Sequence, residues 1–198
     1  LALMRPTHAN AADSRSWMAL RATAAAVDLS SFGLAMDGLT LNAKRIGVEL
    51  NQGLGRQGAS DNRSVMDLSG LHALTVATSS GSMVLDFDGG RGEILNVVAD
   101  VEIAVSNVLQ LSGTIALSQM SARNVLLDDG QVRRMSGTLL AGEHFSMRFG
   151  TAAVALAASD VSFAMALLKD TESASSFLGL AVTASSVDLL GVPSVKLS

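Results

Sequence analysis

The chain has 198 residues, a formal net charge of −4 and no cysteine. That excludes disulfides, cysteine-ligated zinc or iron–sulfur centres and thiol chemistry. The acidic balance and scattered basic residues argue against nucleic acid, which needs a basic stripe.

Hydrophobic residues make up 48% of the chain while aromatics stay at 4%, with no Tyr and one Trp. The apolar mass is therefore Ala, Val, Leu and Met, which predicts thin, evenly filled layers rather than a globule built round large rings. Only 16% is charged, where about 25% is usual. Part of the surface is expected to meet another copy, an adjacent repeat or a partner.

Residues 1–16 are small and polar, with Pro6, and read as a linker or the end of a preceding repeat. The chain then states one phrase twice. WMALRATAAAVDL (17–29) and FLGLAVTASSVDL (177–189) share six residues of thirteen without a gap. These are Leu20/Leu180, Thr23/Thr183, Ala24/Ala184, Val27/Val187, Asp28/Asp188 and Leu29/Leu189. This divides the chain into one long repeat over 17–176 and the opening of the next over 177–198. With no initiating Met at the start, the expectation is a piece of a longer polypeptide.

From residue 17 onward short runs alternate apolar and polar with Val or Ile at their head, as in Arg45-Ile46-Gly47-Val48 and Asp100-Val101-Glu102-Ile103. This is strand grammar. Predicted strands cover 17–29, 34–41, 45–51, 71–78, 82–87, 93–105, 107–118, 123–127, 134–140, 144–149, 151–158, 161–168, 177–190 and 194–198. Gly33, Asp37-Gly38, Asp88-Gly89-Gly90, Asp129-Gly130, Gly142 and Gly150 punctuate them, and Asp-Gly is a two-residue hairpin signal. Residues 52–64 form the one long loop, and 169–176 a polar joint. The most apolar window, 150–168, is long enough for a membrane span. Asp160 at its middle costs about 2.5–3.5 kcal/mol on insertion, so no transmembrane segment is expected.

The fold class is all-β: an elongated tandem-repeat β module, a β-solenoid or stacked β-sheets, with a β-sandwich as the alternative. Strands such as Ala-Val-Ala-Leu-Ala-Ala at 153–158 lack charge on both faces and are expected to be covered on both sides. The phrases at 175–193 and 160–167 resemble the repeat units of giant bacterial surface or secreted proteins of the LEPR-XLL type. That resemblance implies an extracellular or cell-surface, adhesin-like module and transfers no catalytic or binding residue.

One segment invites metal chemistry. Asp86-Phe87-Asp88-Gly89-Gly90-Arg91-Gly92-Glu93 offers carboxylates in a tight loop, and Asp86, Asp88 and Glu93 are the candidate calcium ligands. Ile94 stands where a calcium-binding nonapeptide carries its Asp, so a glycine-rich hairpin between 82–87 and 93–105 competes with that reading. Asp128-Asp129-Gly130 repeats the choice more weakly. Asp100 and Glu102 share one strand face, as do Asp86 and Asp88, which more often marks a solvated edge than an acid–base pair. His8, His72 and His144 lack metal spacing, and Gly53-Leu54-Gly55 lacks the third glycine of a nucleotide fingerprint.

The sequence thus predicts no enzyme and no cofactor beyond possible calcium. It predicts a structural or adhesive repeat whose partners are other copies or adjacent repeats, acting in a stalk, filament or sheet. The competing function is a calcium- or glycan-binding sandwich that takes a surface glycan at the 88–92 or 52–64 loops.

Overall fold

The computed structural model describes residues 1–7, 12–28, 39–79 and 81–192. His8, Gly33, Asp37-Gly38, most of the predicted strand 34–41 and all of 194–198 lie outside them. The chain is all-β. Long strands dominate: β1 (Ala2–Met4), β2 (Ser16–Asp28), β3 (Leu39–Leu54), then two-residue β4 (Arg56–Gln57) and β5 (Ser60–Asp61). After them come β6 (Leu74–Thr78), β7 (Gly81–Leu85), β8 (Ile94–Val105), β9 (Leu109–Leu126), β10 (Val132–Gly150) and β11 (Ala155–Asp170). The last are β12 (Ser176–Thr183) and β13 (Ser186–Leu190).

Nine strands form one sheet in the order β1-β2-β3-β8-β9-β10-β11-β12, with β13 continuing beyond β12 against β11. Every pairing is antiparallel. The described residues thus build a meander in one main layer, not solenoid coils and not two facing sheets. β10, at 19 residues, spans about 60 Å at roughly 3.3 Å per residue. The expectation of cover on both faces is corrected: Phe149, Leu178 and Val182 are 55%, 66% and 59% exposed.

Four strands are longer than alternation predicts, and the reason is the same in each. The expected breaks at 42–44, 119–122, 141–143 and 159–160 fall at or beside irregularities inside continuous strands. Register shifts lie between Lys44 and Gly47 on β3 and between Glu143 and Ser146 on β10. Another lies opposite Met135 and Gly137, where β9 holds the extra residue, and a further one sits around Asp160 on β11. A bulge adds one residue, so the apolar positions change phase while the hydrogen-bond ladder continues.

Allowing for that phase change, the two faces differ. One row across the sheet reads Val48, Val97, Leu117, Leu140, Met165, Leu180. Its neighbour on the other face reads Glu49, Asn96, Ser118, Leu139, Ala166, Gly179. Bulky side chains hold one face and small or polar ones the other; the bulky face is open at β12, where Leu180 is 63% exposed, and Ala19, Asn51 and Ile94 lie on the other.

The segment between β3 and β8 folds back over one end of the sheet. The hairpin β6–β7 touches β2, and Met66, Leu68, Leu85 and Phe87 close on Ala19 and Ile94, with Trp17, Leu74 and Val76 at the margin. Each such side chain contributes about 1.5–3 kcal/mol when fully buried. Asn51, fully buried, pins the segment: its Nδ2 donates to the Met66 carbonyl at 2.8 Å, and its Oδ1 accepts from the Met66 amide. The expected loop 52–64 is therefore partly strand, with β3 reaching Leu54 and β4 pairing β5 across Gly58.

Candidate functional site

Two features of the sheet gather polar chemistry or unfilled bonding: a line of bulges across its middle, and its two margins. The line begins at Arg45 on β3, passes Asp100 on β8 and Thr114 on β9, and reaches His144 on β10 and Asp160 on β11. Arg45, His144 and Asp160 all have positive φ, at 48°, 55° and 49°, the left-handed conformation that a bulge often asks of its first residue. That backbone turns each side chain out of the strict alternation and towards its neighbour on the line. The Arg45 guanidinium meets the Asp100 carboxylate, and the Thr114 hydroxyl donates to the other oxygen of Asp100 at 2.8 Å. Lys44 pairs with Glu102 at 2.8 Å. Hydrogen bonding from Thr114 first, and from Arg45 after it, holds the Asp100 carboxyl below the usual carboxylate range.

At the far end, Nδ1 of His144 lies 2.9 Å from one oxygen of Asp160, and the Ser185 hydroxyl donates to the other at 2.9 Å. The pair to His144 is the main cause, and Ser185 the second, of a depressed Asp160 carboxyl. Serine, histidine and aspartate thus meet, but in an order that does not make a nucleophile. In a hydrolytic triad the imidazole stands between hydroxyl and carboxylate and takes the hydroxyl proton. Here the carboxylate stands between the other two, so the serine donates to an acid that is already ionised. This arrangement ties the end of β12 to the bulge of β11.

The residues proposed from sequence for calcium are placed by other bonds. Asp86 pairs with Arg21 at 2.9 Å, and Arg21 also holds Glu49 at 2.9 Å. The Asp88 side chain accepts from the Gly90 amide at 2.8 Å and caps a short 3-10 turn over Gly89–Arg91. The Glu93 carbonyl accepts from the Ser121 hydroxyl. Among the described residues no group of three His, Asp or Glu side chains is disposed to hold a metal ion. The glycine-rich hairpin expected there is corrected, because β7 pairs with β6 while β8 pairs with β3 and β9.

The weaker candidates also have structural roles. Asp129 accepts from the Gln131 amide in the turn between β9 and β10. His72 ends a 3-10 turn over Gly70–His72, where a strand from residue 71 was expected. Gly53 lies against the Ser64 carbonyl and Gly55 against Ser14, which leaves that loop closely packed. Sequence reasoning passed over Asp170, which is 2% exposed and accepts from the Glu172 amide, the Ser173 hydroxyl and Arg133. Its signal was present: an Asp at a strand end with Ser three residues later is a turn cap.

The margins carry the repeated phrase. Residues 17–28 lie on β2, beside one margin, and 177–189 lie on β12 and β13, which form the other. β12 and β13 keep a single register against β11, from Lys169↔Ser176 to Ala155↔Leu190, and part only opposite Asp160. They act as one strand. No protein-family model matches the chain, and neither a curated protein nor a solved structure is significantly similar to it.

Proposed function

We propose that the chain is a structural module, a tandem β repeat of a long extracellular or surface-attached protein that builds a stalk, filament or sheet. The observation that carries this reading is the recurrence of residues 17–29 at 177–189, with residues 17–28 on the second strand from one margin of the sheet and 177–189 at the other margin. A meander whose last strand repeats its second can continue in the same plane without changing its hydrogen-bond pattern. The bonding of the acidic and histidine side chains supports the same reading, since Asp86, Asp100, Asp160 and Asp170 each brace neighbouring strands or turns.

Sedimentation velocity combined with electron microscopy of the purified chain, with and without calcium, tests the proposal. The expected result is concentration-dependent growth into extended ribbons or sheets that is indifferent to calcium. Compact monomers whose melting temperature rises with calcium or a glycan would instead assign the chain to a binding module.

A further inference from the structure

The structure pairs the two copies of the repeated phrase with matching neighbours. β1 lies beside β2 with Ala2↔Ala19, Leu3↔Met18 and Met4↔Trp17. β11 lies beside β12 with Ala166↔Gly179, Leu167↔Leu178 and Leu168↔Phe177. Since Ala19, Met18 and Trp17 correspond to Gly179, Leu178 and Phe177, the registers are the same. The neighbours match in sequence as well: Ala2-Leu3-Met4-Arg5 answers Ala166-Leu167-Leu168-Lys169. The connection that follows is longer by four residues in the first case, which shifts the offset from 164 to 160 and hides the likeness from an ungapped comparison. The pair β1–β2 is thus a second instance of the pair β11–β12.

The two instances differ on the other side. The inner edge of β2 is bonded along its length to β3, with Leu20↔Leu50, Ala22↔Val48 and Thr23↔Gly47. The same edge of β12–β13 has no neighbour in the sheet among the described residues, and Leu178, Leu180 and Val182 on it are 66%, 63% and 59% exposed. An edge of this length with apolar side chains is a template for another strand. Resting on the structural reading above, we infer that the free edge of β12–β13 is an acceptor for a strand of the Leu39–Leu54 type from a following copy of the unit. β12–β13 serves as that copy's first long strand. Carrying the β2–β3 register forward by 160 places Leu180 opposite Leu50 and Ala181 opposite Glu49 of the incoming strand. The six long strands from β2 to β11 then recur with their directions unchanged, because six is even.

The chain lacks cysteine, so introduced thiols report the register directly. Full-length chain carrying Leu180→Cys or Ala181→Cys is oxidised mildly with a synthetic peptide of residues 39–54 carrying Leu50→Cys, Glu49→Cys, Val48→Cys or Gly47→Cys. Directly opposed Cβ atoms lie about 4.5–5.5 Å apart and diagonal ones about 7–8 Å, beyond disulfide reach. The expected result is that one or both of the matched pairs, 180 with 50 and 181 with 49, link at least ten times faster than 180 with 48 or 181 with 47. In parallel, hydrogen exchange in the unmodified chain is expected to slow over 177–189 when wild-type peptide is added. Equal rates at all pairs, or no slowing of exchange, would overturn the inference. Ribbons in the microscope without register selectivity would remove this edge pairing alone. Selective linkage in a chain that stays compact and answers to calcium would remove the structural role alone.

Discussion

The ring of Phe145 lies over Gly113 of the neighbouring strand, so close that a Cβ on that glycine would come within 2.5 Å of it. The bulge at His144 brings this about: it turns Phe145 onto the bulky face, where the ring also meets Phe163 at 5.6 Å between centroids. Phe145 is 4% exposed in a sheet whose other large side chains are mostly half-covered. The glycine gives up its own side chain so that the ring can lie flat on the backbone, an aromatic covering a glycine across the ladder.

Phe145→Ala is therefore expected to cost about 3–5 kcal/mol in urea unfolding, and Gly113→Val about 1–3 kcal/mol through overpacking. Because the two occupy the same space, the double variant should lose less than the sum, with a coupling on the order of 0.5–3 kcal/mol. Strict additivity would show that the ring does not rest on Gly113.

Asn51 is the only contact by which a wholly buried polar side chain of the sheet grips the segment that covers it, among the described residues. Asn51→Ala leaves the Met66 amide and carbonyl buried without their partner, at a cost of about 1–3 kcal/mol. Limited proteolysis should then cut within residues 62–73 before the long strands. A variant that resists cleavage as the parent does would place the grip in the apolar cluster around Leu85 instead.

Much of the fold was legible in the sequence because alternation survives in each half-strand. Asp100-Val101-Glu102-Ile103 lies on β8 as its pattern requires, and both copies of the repeated phrase lie on strands, β2 and β12–β13. What the pattern could not convey was continuity through a bulge. At Arg45, His144 and Asp160 an extra residue reverses the phase, and two short strands were inferred where one long strand bends. Alternation within a strand is also silent on what covers it, which is why stacked layers or a sandwich were expected and one main layer was found. In the Asp86, Asp88 and Glu93 group, Arg21 engages the first and the Gly90 amide the second. The likeness of β1 to β11 was hidden by a loop of unequal length and became visible only through register.

Arg45 holds a left-handed backbone conformation that costs an L residue roughly 1–2 kcal/mol and costs glycine little. Its ion pair with Asp100 is largely open to solvent on the arginine side, and such pairs add little. Arg45→Gly is expected to fold as stably as the parent or better. Arg45→Val, β-branched and intolerant of positive φ, should melt lower by an amount corresponding to about 1 kcal/mol or more. If glycine is the worse of the two, the ion pair rather than the backbone governs this position.

Acid should loosen the bulge line from its carboxylates. Asp100 and Asp160 have carboxyls depressed in the folded chain, by Thr114 and Arg45 in one case and by His144 and Ser185 in the other. Asp170 is depressed in the same direction by the Glu172 amide, Ser173 and Arg133. A depressed carboxyl stabilises the fold wherever it is ionised in both states, that is, above the unfolded value near 3.9. The gain disappears as pH falls through the lower folded value, because the unfolded chain takes up its protons first. The urea midpoint is thus expected to hold the full contribution of these groups, unchanged by pH, between about pH 5 and 7, and to fall steadily below about pH 4. Asp160→Asn keeps the side chain's size and removes its charge, so it should be less stable than the parent at pH 7. The gap between the two should then close in acid, where the parent has lost its charge as well. A gap that stays constant from pH 7 to pH 2 would mean that Asp160 works through shape alone, and one that widens would mean that its partners stabilise the protonated acid.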